Sequence, residues 1–538
     1  MKLNRYSFFI ACIILAFLFT VMSIALTPWL WLFAITFITL SLIGVYDVTQ
    51  KKHSVLRNYP ILGHMRYLIE LIRPEIRQYL VEAENEALPF SRAQRSLVYR
   101  RAKNLSADQP FGTILDIEAK GFEFIGHSVS PKPVQPISTY RINIGNDQCS
   151  KPYSASLFNI SAMSFGSLSA NAIRALNKGA KMGNFAHDSG EGSVSKYHRE
   201  FGGDVILEIA SGYFGCRTAD GRFSPEKFVK LASEEQIKMI EVKLSQGAKP
   251  GHGGILPKEK LTQEIAVTRG VPMGEDCVSP AHHPEFSTPM ELIAFLQQLR
   301  ELSGGKPVGF KLCIGYPWEF MSIVKAMLKT GFTPDFIVVD GSEGGTGAAP
   351  LEFSDHIGMP MREGLLFVHN TLVGAGLRDQ VKIGAAGKII SAYDIISTLA
   401  MGADWLNSAR GFMMAVGCIQ SQSCHTNACP TGVATQDPKR QQALVVPDKA
   451  ERVFNFHKNT LRALADMVAA AGLEHPEQIT PHHVSRRLAD GRIRPLSTLY
   501  PFLDKDALID GTVTDSFYKK SWQTASENSF DADITRIY

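Results

Sequence analysis

The chain has 538 residues, of which 45% are hydrophobic and 20% are charged, so it can hold one large enzyme domain with additional segments. Its net charge of only +4 argues against a nucleic-acid-binding role based on strong basic character. Five of the eight cysteines are scattered without a pattern, which is typical of a reducing compartment and not of a secreted disulfide-bonded protein.

Two apolar segments open the chain. Residues 7–26 carry no charged side chain, and residues 29–46 form a second uncharged stretch. Each is long enough to cross a hydrocarbon core of about 30 Å as a helix. Basic residues precede and follow the pair at Lys2, Arg5, Lys51, Lys52 and Arg57. Residues 1–50 are therefore predicted to form a transmembrane helical hairpin with both ends, and the catalytic domain, in the cytoplasm. A signal peptide is the alternative, but the second segment argues against it.

Residues 51–150 are predicted to be a helical and irregular linker. Apolar residues recur at helical spacing through residues 57–88, and Pro74 is expected to divide this stretch into two helices. Its arginines fit contact with anionic lipid headgroups and an ordinary solvated face equally well. These arginines are Arg57, Arg66, Arg73 and Arg77.

Short apolar strands, glycine-rich turns and amphipathic helices alternate through residues 151–475. The clearest strands begin the segments 157–168, 308–315, 335–347, 381–387 and 403–411. Alternating units of this kind over about 300 residues predict an α/β fold of the (β/α)8 TIM-barrel type, with its active site at the carboxyl ends of the strands. A doubly wound sheet is the rival fold, but no G-x-G-x-x-G with a following acidic residue succeeds an early strand. Residues 476–538 are a C-terminal extension.

The last two predicted strands end in turns suited to a phosphate. Gly384 and Gly387 belong to one turn, and Ser408 and Arg410 belong to the next. Barrel enzymes often bind a phosphate there on backbone N–H groups and a helix N-terminus. Arg410 would add a charge-assisted hydrogen bond.

Two lysines interrupt or follow apolar strands. Lys311 lies within a buried strand, where a charge is costly unless it is paired or faces a site. A cation there suits a flavin, because it stabilises the negative charge that accumulates on reduction. Lys249 begins the loop KPGHGG and suits the binding of a carboxylate or the donation of a proton. The alternative for each lysine is a solvated charge.

Three cysteines cluster with the spacing C-x5-C-x4-C, at Cys418, Cys424 and Cys429. An odd number cannot pair off completely as disulfides. Three thiolates also cannot close a tetrahedral zinc site without a fourth ligand. Either His425 joins them, or the cofactor is one that accepts three sulfur ligands.

A series of tracts resembles the FMN-binding synthase domain of glutamate synthase, in the same order along residues 157–436. The tracts are SAMSFGSLS, DSGEGS, ASGYFG, QGAKPGHGG, GFKL, DGSEGGTGAAP and GCIQSQSCHTNACPTGVATQ. The resemblance implies that Cys418, Cys424 and Cys429 ligate a [3Fe-4S] cluster, in keeping with the softness of sulfur ligands. Zinc with His425 becomes the lesser alternative.

The resemblance also implies the roles of other residues. Lys249 matches the active-site lysine, and Lys311 matches the lysine that faces the flavin pyrimidine. Glu191 and Asp340 are the other expected catalytic residues. The expected FMN contacts are Ala162, Met163, Ser164, Ser211, Gly344, Gly345, Thr346, Gly387 and Ser408, besides Lys311 and Arg410.

The chain also departs from a full glutamate synthase. No glutaminase domain fits upstream of the barrel, and only 102 residues follow Gln436 in the 538-residue chain, too few for the large C-terminal domain of that family. The family's KPGEGGQLPG reads KPGHGGILPK here, which alters the residues at His252, Ile255 and Lys258. The resemblance is thus to stand-alone, membrane-tethered members.

The expected function is that of a membrane-anchored FMN and iron–sulfur oxidoreductase. It would reduce the imine of a 2-oxo acid, formed from 2-oxoglutarate and ammonia, to glutamate, with electrons from a ferredoxin-like donor. One alternative is an oxidoreductase acting on a different amino acid or imine. Another is an electron-transfer membrane subunit that has flavin and cluster but no substrate of its own.

Overall fold

The computed structural model describes residues 5–84, 86, 89–108 and 110–532, and the chain divides after Arg92 into two compact units. The first unit begins with helices α1 (Ser7–Ala25) and α2 (Trp31–Thr49), which pack against each other. Phe19 stacks on Phe33 and Phe37, with ring centroids 5.3 and 5.7 Å apart. Both helices are long and apolar enough to cross a membrane, so the predicted segments are helices joined as a hairpin.

Two further helices complete the first unit, α3 (Ser54–Asn58) and α4 (Gly63–Ile76), and α4 continues into a π-helical turn at Arg77–Val81. The predicted break at Pro74 is wrong, because α4 runs through that residue. Proline removes one N–H donor and crowds one carbonyl, and here the helix accommodates this loss locally. The buried Asp47 at the end of α2 accepts a hydrogen bond from the backbone N–H of Ile61 at 2.9 Å.

The second unit is built on a closed barrel of eight parallel strands. Its strands, in chain order, are β1 (Glu123–Ile125), β2 (Arg141–Ile144), β3 (Tyr153–Ser156), β4 (Phe158–Ile160), β5 (His187–Asp188), β6 (Val205–Ile209), β7 (Ile237–Lys243), β8 (Ile255–Leu256), β9 (Cys277–Val278), β10 (Val308–Leu312), β11 (Phe336–Asp340), β12 (Lys382–Ala386), β13 (Trp405–Ser408), β14 (Val484–Arg487) and β15 (Ile493–Pro495). The barrel runs β4, β5, β6, β7, β10, β11, β12 and β13, and it closes by pairing Ser408 of β13 with Ile160 of β4. The predicted TIM barrel is confirmed, and the doubly wound alternative is excluded.

Helices lie between the barrel strands and beyond them. They are α5 (Arg92–Ala102), α6 (Ala170–Gly183), α7 (Lys196–Arg199), α8 (Pro225–Ala232), α9 (Gln263–Arg269), α10 (Pro289–Leu302), α11 (Pro317–Thr330), α12 (Leu351–His356), α13 (Met361–Gly374), α14 (Ala392–Leu399), α15 (Arg410–Val416), α16 (Pro438–Gln441), α17 (Val446–Ala470), α18 (Leu496–Leu499) and α19 (Ser516–Thr524). The first of the barrel helices, α6, is N-capped by Ser169, whose hydroxyl accepts from the Ala172 N–H at 3.2 Å. Its buried face packs against α17.

The barrel strands are buried on both faces, as parallel strands covered by helices must be. All five positions of β6 and of β10 are buried. Gly384 lies within β12, where an added Cβ would come within 2.5 Å of Trp405 on the paired strand β13. Gly384 is therefore a packing residue, and its predicted place in a phosphate-binding turn is wrong.

Segments outside the barrel strands join the same unit. The β2–β3 hairpin meets the amino end of the barrel, where the Asn146 N–H donates to Asp335 at 2.9 Å. Strand β1 pairs with β14, near the C-terminus, and Glu123 forms ion pairs with Arg362 at 2.7 Å and with Arg486 at 2.6 Å. The described parts of 93–150 and 476–538 thus pack with the barrel, and the predicted linker 51–150 is divided between the two units.

Candidate active site

Four neighbouring barrel strands each point a charged side chain into the barrel. These side chains are Asp188, Glu208, Glu241 and Lys311, from β5, β6, β7 and β10, and all four are buried. The Lys311 Nζ lies 2.8 Å from Glu241 Oε1, 3.9 Å from Asp188 Oδ2 and in contact with Glu208 Oε2. We call this set the carboxylate–lysine cluster.

The carboxylate–lysine cluster contains more acid than base. Burial, and then repulsion by Glu241, raise the pKa of Asp188 well above its ordinary value. Burial also raises the pKa of Glu241. Burial opposes the charge of Lys311, but the three carboxylates outweigh it and raise the pKa of the ammonium. Lys311 therefore balances the charge of three buried carboxyl groups. Its predicted contact with a flavin stays a prediction.

Glu191 lies in the loop after β5 and is held by a lysine that the sequence did not single out. Its Oε2 lies 2.7 Å from the Nζ of Lys243, the last residue of β7. Burial opposes ionisation of Glu191, but Lys243, followed by Arg269 and Lys249, lowers its pKa to about 2. Glu191 is thus an anion with three cationic neighbours.

The loop after β7 carries Lys249, which is only 3% exposed. Its Nζ donates a hydrogen bond to the Ala348 carbonyl at 2.7 Å. Burial lowers the pKa of Lys249, and the charge of Glu191 opposes that effect. The same loop is tied to β11, because the Gly247 N–H donates to Asp340 Oδ2 at 2.8 Å. The predicted catalytic residues Lys249, Glu191 and Asp340 thus lie at the carboxyl ends of three alternate barrel strands, β7, β5 and β11.

Arg269, at the end of α9, is a site residue that the sequence analysis missed. It is only 2% exposed, and its Nη2 donates to the Phe165 carbonyl at 3.1 Å and to the Ser164 hydroxyl at 3.3 Å. Among the described residues, its Nε has no hydrogen-bond partner. A buried guanidinium with an unused donor is suited to an anionic ligand. Its position at the end of a short helix gave no signal in the sequence.

Gly254 is required for the position of Glu191, because an added Cβ would lie 1.9 Å from Glu191 Oε1. We expect Gly254→Ala to displace the carboxylate from Lys243 and to lower turnover by about 10²-fold, the cost of misplacing a catalytic group by about 1 Å. Gly315→Ala is the matched control, because open space surrounds the position of its Cβ. Equal steady-state rates in the two variants would contradict this prediction.

The predicted cofactor residues line the same end of the barrel. Ala162, Met163 and Ser164 follow β4, and Ser211 follows β6, with its hydroxyl donating to the Pro280 carbonyl at 2.5 Å. The loop after β11 contains a backbone turn, in which the Gly344 N–H donates to the Gly341 carbonyl at 2.8 Å.

The loop after β11 also meets Arg410 and Lys249. An added Cβ on Gly345 would lie 2.9 Å from Arg410 Nε, so the backbone passes close to the guanidinium. The Thr346 hydroxyl donates to the Ala348 carbonyl at 3.2 Å, the same carbonyl that Lys249 contacts.

Strands β12 and β13 are the seventh and eighth of the barrel, where barrel enzymes often bind phosphate. Gly387 follows β12, and an added Cβ there would lie 2.8 Å from that of Met361. A cavity borders this turn and is lined by Gly387, Lys388 and Met361, among others. The Ser408 hydroxyl donates to the Ile389 carbonyl at 2.5 Å, and Arg410 Nη2 donates to the Glu343 carbonyl at 2.6 Å. The turn thus has a glycine, Gly387, and two cations, Lys388 and Arg410, of the kind that a phosphate needs.

The cysteine loop follows α15 and has an unusual backbone. Gln420, Gln422 and Asn427 have φ values of 60°, 56° and 60°, a left-handed conformation that is uncommon for residues other than glycine. The Gln420 N–H donates to Cys418 Sγ at 3.4 Å. Such backbone strain is maintained only where surrounding structure enforces it, and it concentrates at functional sites.

The thiols of Cys418, Cys424 and Cys429 are electrostatic neighbours. Burial raises the pKa of Cys418 to about 11. Burial also raises the pKa of Cys424, and the charge of Cys429 adds to both shifts. Cys429 differs, because hydrogen bonds from the Ala434 N–H and from Thr431 outweigh burial and lower its pKa. Of the three thiols, Cys429 therefore loses its proton most easily to give a thiolate, the form that binds metals.

The spacing of the three sulfur atoms can be compared with that of the ligands of one zinc ion. Tetrahedral ligands at about 2.3 Å from zinc bring sulfur atoms within about 3.8 Å of one another. Within the part of the chain that the structure describes, only the Asp188, Glu208 and Glu241 set gathers three ligand atoms of the metal-binding type within 4.8 Å. The three cysteines do not form such a set, so at least one pair of their sulfur atoms lies more than 4.8 Å apart.

Comparison with known proteins gives the family. The sequence profile of the conserved region in glutamate synthase matches residues 129–474. The chain is 38% identical over 526 residues to the glutamate synthase large subunit-like protein YerD of Bacillus subtilis, covering 90% of this chain and 98% of that protein. It is 34% identical to the archaeal-type glutamate synthase [NADPH] of Thermotoga neapolitana, covering 59% of this chain and 60% of that enzyme. Among solved structures, a flavocytochrome b2 aligns over 84% of this chain and 91% of its own, with 12% identity and a TM-score of 0.41.

The closed barrel and the charged site at its carboxyl end define a (β/α)8-barrel enzyme. The chain belongs to the glutamate synthase family, and the predicted class, an oxidoreductase of the glutamate synthase type, is confirmed. It spans about 60% of the length of the archaeal-type enzymes that it matches.

Proposed function

We propose that this protein is a membrane-anchored FMN and iron–sulfur oxidoreductase. It reduces the imine of a 2-oxo acid to an amino acid, with 2-oxoglutarate plus ammonia giving glutamate, and it takes electrons from a ferredoxin-like donor. The family membership supports the reaction class. The substrate, the cofactors, the donor and the anchoring are the proposed parts.

One observation carries the proposal: Lys249 and Arg269 both lie near Glu191, and both are buried. A dicarboxylate such as 2-oxoglutarate needs two cations, and the unused Nε donor of Arg269 is suited to one carboxylate. Burial lowers the pKa of Lys249, which makes the ammonium at Nζ a better proton donor than an exposed lysine. Because Ala348 covers Lys249 Nζ, the loop after β11 helps to exclude water from the site.

FMN fits the residues at the carboxyl end of the barrel. The turn at Gly387, with Lys388 and Arg410, has the close backbone approach and the cations that its phosphate requires. The loop of Ala162, Met163 and Ser164 and the glycines Gly344 and Gly345 would flank the ring. When bound, FMN supplies hydride transfer.

A [3Fe-4S] cluster fits Cys418, Cys424 and Cys429, because three thiolates match three iron atoms. The wide spacing of the sulfurs and the N–H donors to Cys418 and Cys429 support such a centre. When present, the cluster supplies one-electron transfer, which suits a ferredoxin-like donor.

The direct test is stopped-flow oxidation of the dithionite-reduced, full-length protein by 2-oxoglutarate plus ammonia. We expect reoxidation of the flavin absorbance and one glutamate per flavin. Absence of glutamate from a protein that contains both cofactors would refute the proposed substrate.

A second candidate is an oxidoreductase for a different imine, or an electron-transfer subunit. The residues at His252 and Ile255 favour it, because they differ from the glutamate synthase tract. The His252 ring lies against Phe353, with centroids 5.1 Å apart, so the loop presents an aromatic pair. Reoxidation by another 2-oxo acid plus ammonia, or only by an artificial acceptor, separates these alternatives.

The cofactor content gives a first prediction for the proposed function. Protein purified without oxygen is expected to contain about one FMN and about three iron atoms per chain, because one phosphate turn and three clustered thiolates are available. Extraction of the flavin followed by chromatography, together with metal analysis, measures both. Stoichiometric zinc without iron would rule out the cluster.

The first unit supports membrane anchoring. Its two long helices expose large apolar side chains, such as Phe17 at 74% and Ile24 at 75%. Helix α4 adds an exposed apolar stripe beside the arginines Arg66, Arg73 and Arg77, formed by Met65, Leu68, Ile69, Ile72 and Ile76. Such a helix is suited to the membrane interface, with its arginines near anionic headgroups.

Removal of residues 1–92 tests the anchor. We expect a chain starting at Ala93 to move from the membrane fraction to the soluble fraction and to keep its flavin, because all proposed FMN contacts belong to the second unit. Fractionation and flavin absorbance measure both effects, with the full-length chain as the control. A truncated protein that stays with membranes, or that folds without flavin, would contradict this prediction.

A further inference from the structure

Lys260 is a buried lysine with no role in the proposed chemistry. It ends the short turn Lys258–Lys260 after β8 and is only 3% exposed. Its Nζ donates to three carbonyl oxygens, those of Ser167 at 2.8 Å, Cys424 at 3.3 Å and Ala434 at 3.3 Å. A neutral amine has two N–H groups, so three donated hydrogen bonds indicate the ammonium form.

The charge of this ammonium meets no carboxylate in the part of the chain that the structure describes. Within the described residues, none of the ion pairs involves Lys260, and the same holds for the buried Lys249, whereas Lys311 meets three carboxylates and the half-buried Lys243 meets two. The residues near Lys260 that become anionic when they bind a metal as thiolates are Cys424 and Cys429. A buried charge is costly unless it is compensated, so the compensating charge is expected from the cysteines.

Lys260 also joins two loops with different roles. Its contacts with Cys424 and Ala434 hold the cysteine loop, and its contact with Ser167 holds the loop after β4. The Ser167 hydroxyl lies 2.8 Å from that of Ser164, a proposed flavin contact. One cation thus bridges the proposed cluster site and the proposed flavin site.

We propose that Lys260 is the fixed charge partner of the three-cysteine centre and raises its reduction potential. This inference rests on the proposed function, since it takes the cysteines to hold an iron–sulfur cluster. An electron that enters this centre adds one negative charge, and a cation beside the sulfur ligands stabilises the reduced form. Lys260 is a positioning residue, because it acts through the cysteines and the loop after β4.

The test compares three variants of the full-length protein by spectroelectrochemical titration, with dithionite as the electron donor. Lys260→Met removes the charge and all the donors, and Lys260→Gln removes the charge but keeps two N–H donors. Lys258→Met is the matched control, because Lys258 is an exposed lysine in the same turn.

We expect both neutral variants at Lys260 to keep three iron atoms per chain and to show a lower cluster potential. The equilibrium constant for one-electron reduction should fall at least tenfold, or about 59 mV. Lys258→Met should match the wild type. A wild-type potential in Lys260→Gln with a lowered one in Lys260→Met would overturn the charge role, as would unchanged potentials in both.

If the Lys260→Met and Lys260→Gln variants lose iron, Lys260→Arg is the additional control, because it keeps a cation. Folded Met and Gln variants without iron, with iron retained in Lys260→Arg, would support the charge role. Iron loss in all three variants would overturn it. A wild-type protein without iron would refute the cluster itself, so failure of the proposed function is distinct from failure of this inference.

Discussion

Replacement of Lys311 by methionine is expected to destabilise the barrel by about 3–5 kcal/mol, the usual cost of removing one partner from a buried ion pair. The side chain is almost isosteric, but Asp188, Glu208 and Glu241 lose their shared cation. Urea unfolding at pH 7, followed by tryptophan fluorescence, measures the loss. Lys329→Met is the control, because Lys329 is exposed on α11, and it should change stability by no more than about 0.5 kcal/mol.

The pH dependence separates charge from packing in this variant. Asp188 and Glu241 already have raised pKa values in the folded protein. Such groups stabilise the fold while they are protonated, and their contribution is lost as pH rises from the unfolded pKa of about 4 through the folded pKa. Without Lys311 that rise in pKa is larger, so the deficit should be smaller at pH 5 than at pH 7.

A double variant gives the complementary result. Glu208→Gln in the Lys311→Met protein should recover stability, with a coupling energy of about 0.5–3 kcal/mol. A deficit that is equal at both pH values and is unchanged by Glu208→Gln would show that Lys311 acts through packing alone.

The second large effect is expected at Lys249. Lys249→Ala should keep flavin and iron but slow reoxidation by 2-oxoglutarate plus ammonia by about 10²–10⁴-fold, the range for loss of a positioned acid or base. The reason is that its buried Nζ lies near Glu191 and beneath Ala348, where a substrate carboxylate or imine would be held. Stopped-flow absorbance of the dithionite-reduced protein measures the rate.

Two further variants identify the role of Lys249. Lys249→Arg keeps the charge but is a poor proton donor, because arginine stays protonated at all ordinary pH values. Recovery of the rate in this variant indicates carboxylate binding, and failure to recover indicates proton donation. Lys258→Ala is the control in the same loop region and should react normally. A normal rate in Lys249→Ala would remove this residue from the mechanism.

Local sequence patterns were sufficient for the elements that depend on local burial. The first predicted span, residues 7–26, is the helix Ser7–Ala25, because twenty uncharged residues are apolar on every face. The strands Val308–Leu312 and Phe336–Asp340 lie within their predicted segments, since short apolar runs between glycines suit buried parallel strands. The predicted helix break at Pro74 was wrong. One proline costs a helix a single hydrogen bond and some crowding, and α4 accommodates both.

The family motifs were also readable in the sequence, and they named Lys249, Glu191 and the three cysteines. Each of these residues stands in a tract whose order of glycines and polar residues is distinctive. Charged residues within buried strands, such as Glu208 in β6 and Glu241 in β7, also indicate the carboxylate–lysine cluster. An ionic group within a buried strand requires a partner on a neighbouring strand.

The sequence by itself therefore determined the apolar hairpin, the barrel and the motif residues, because these depend on short-range periodicity and composition. Only the tertiary structure decided which charges meet. Closure of the barrel brings Asp188, Glu208, Glu241 and Lys311 together from four strands across more than 100 residues of sequence. The same folding brings Arg269 to Ser164, and Lys260 to Cys424. The physical reason is that the Coulomb energy of two charges depends on the distance between them and on their burial. The order of residues along the chain shows neither quantity.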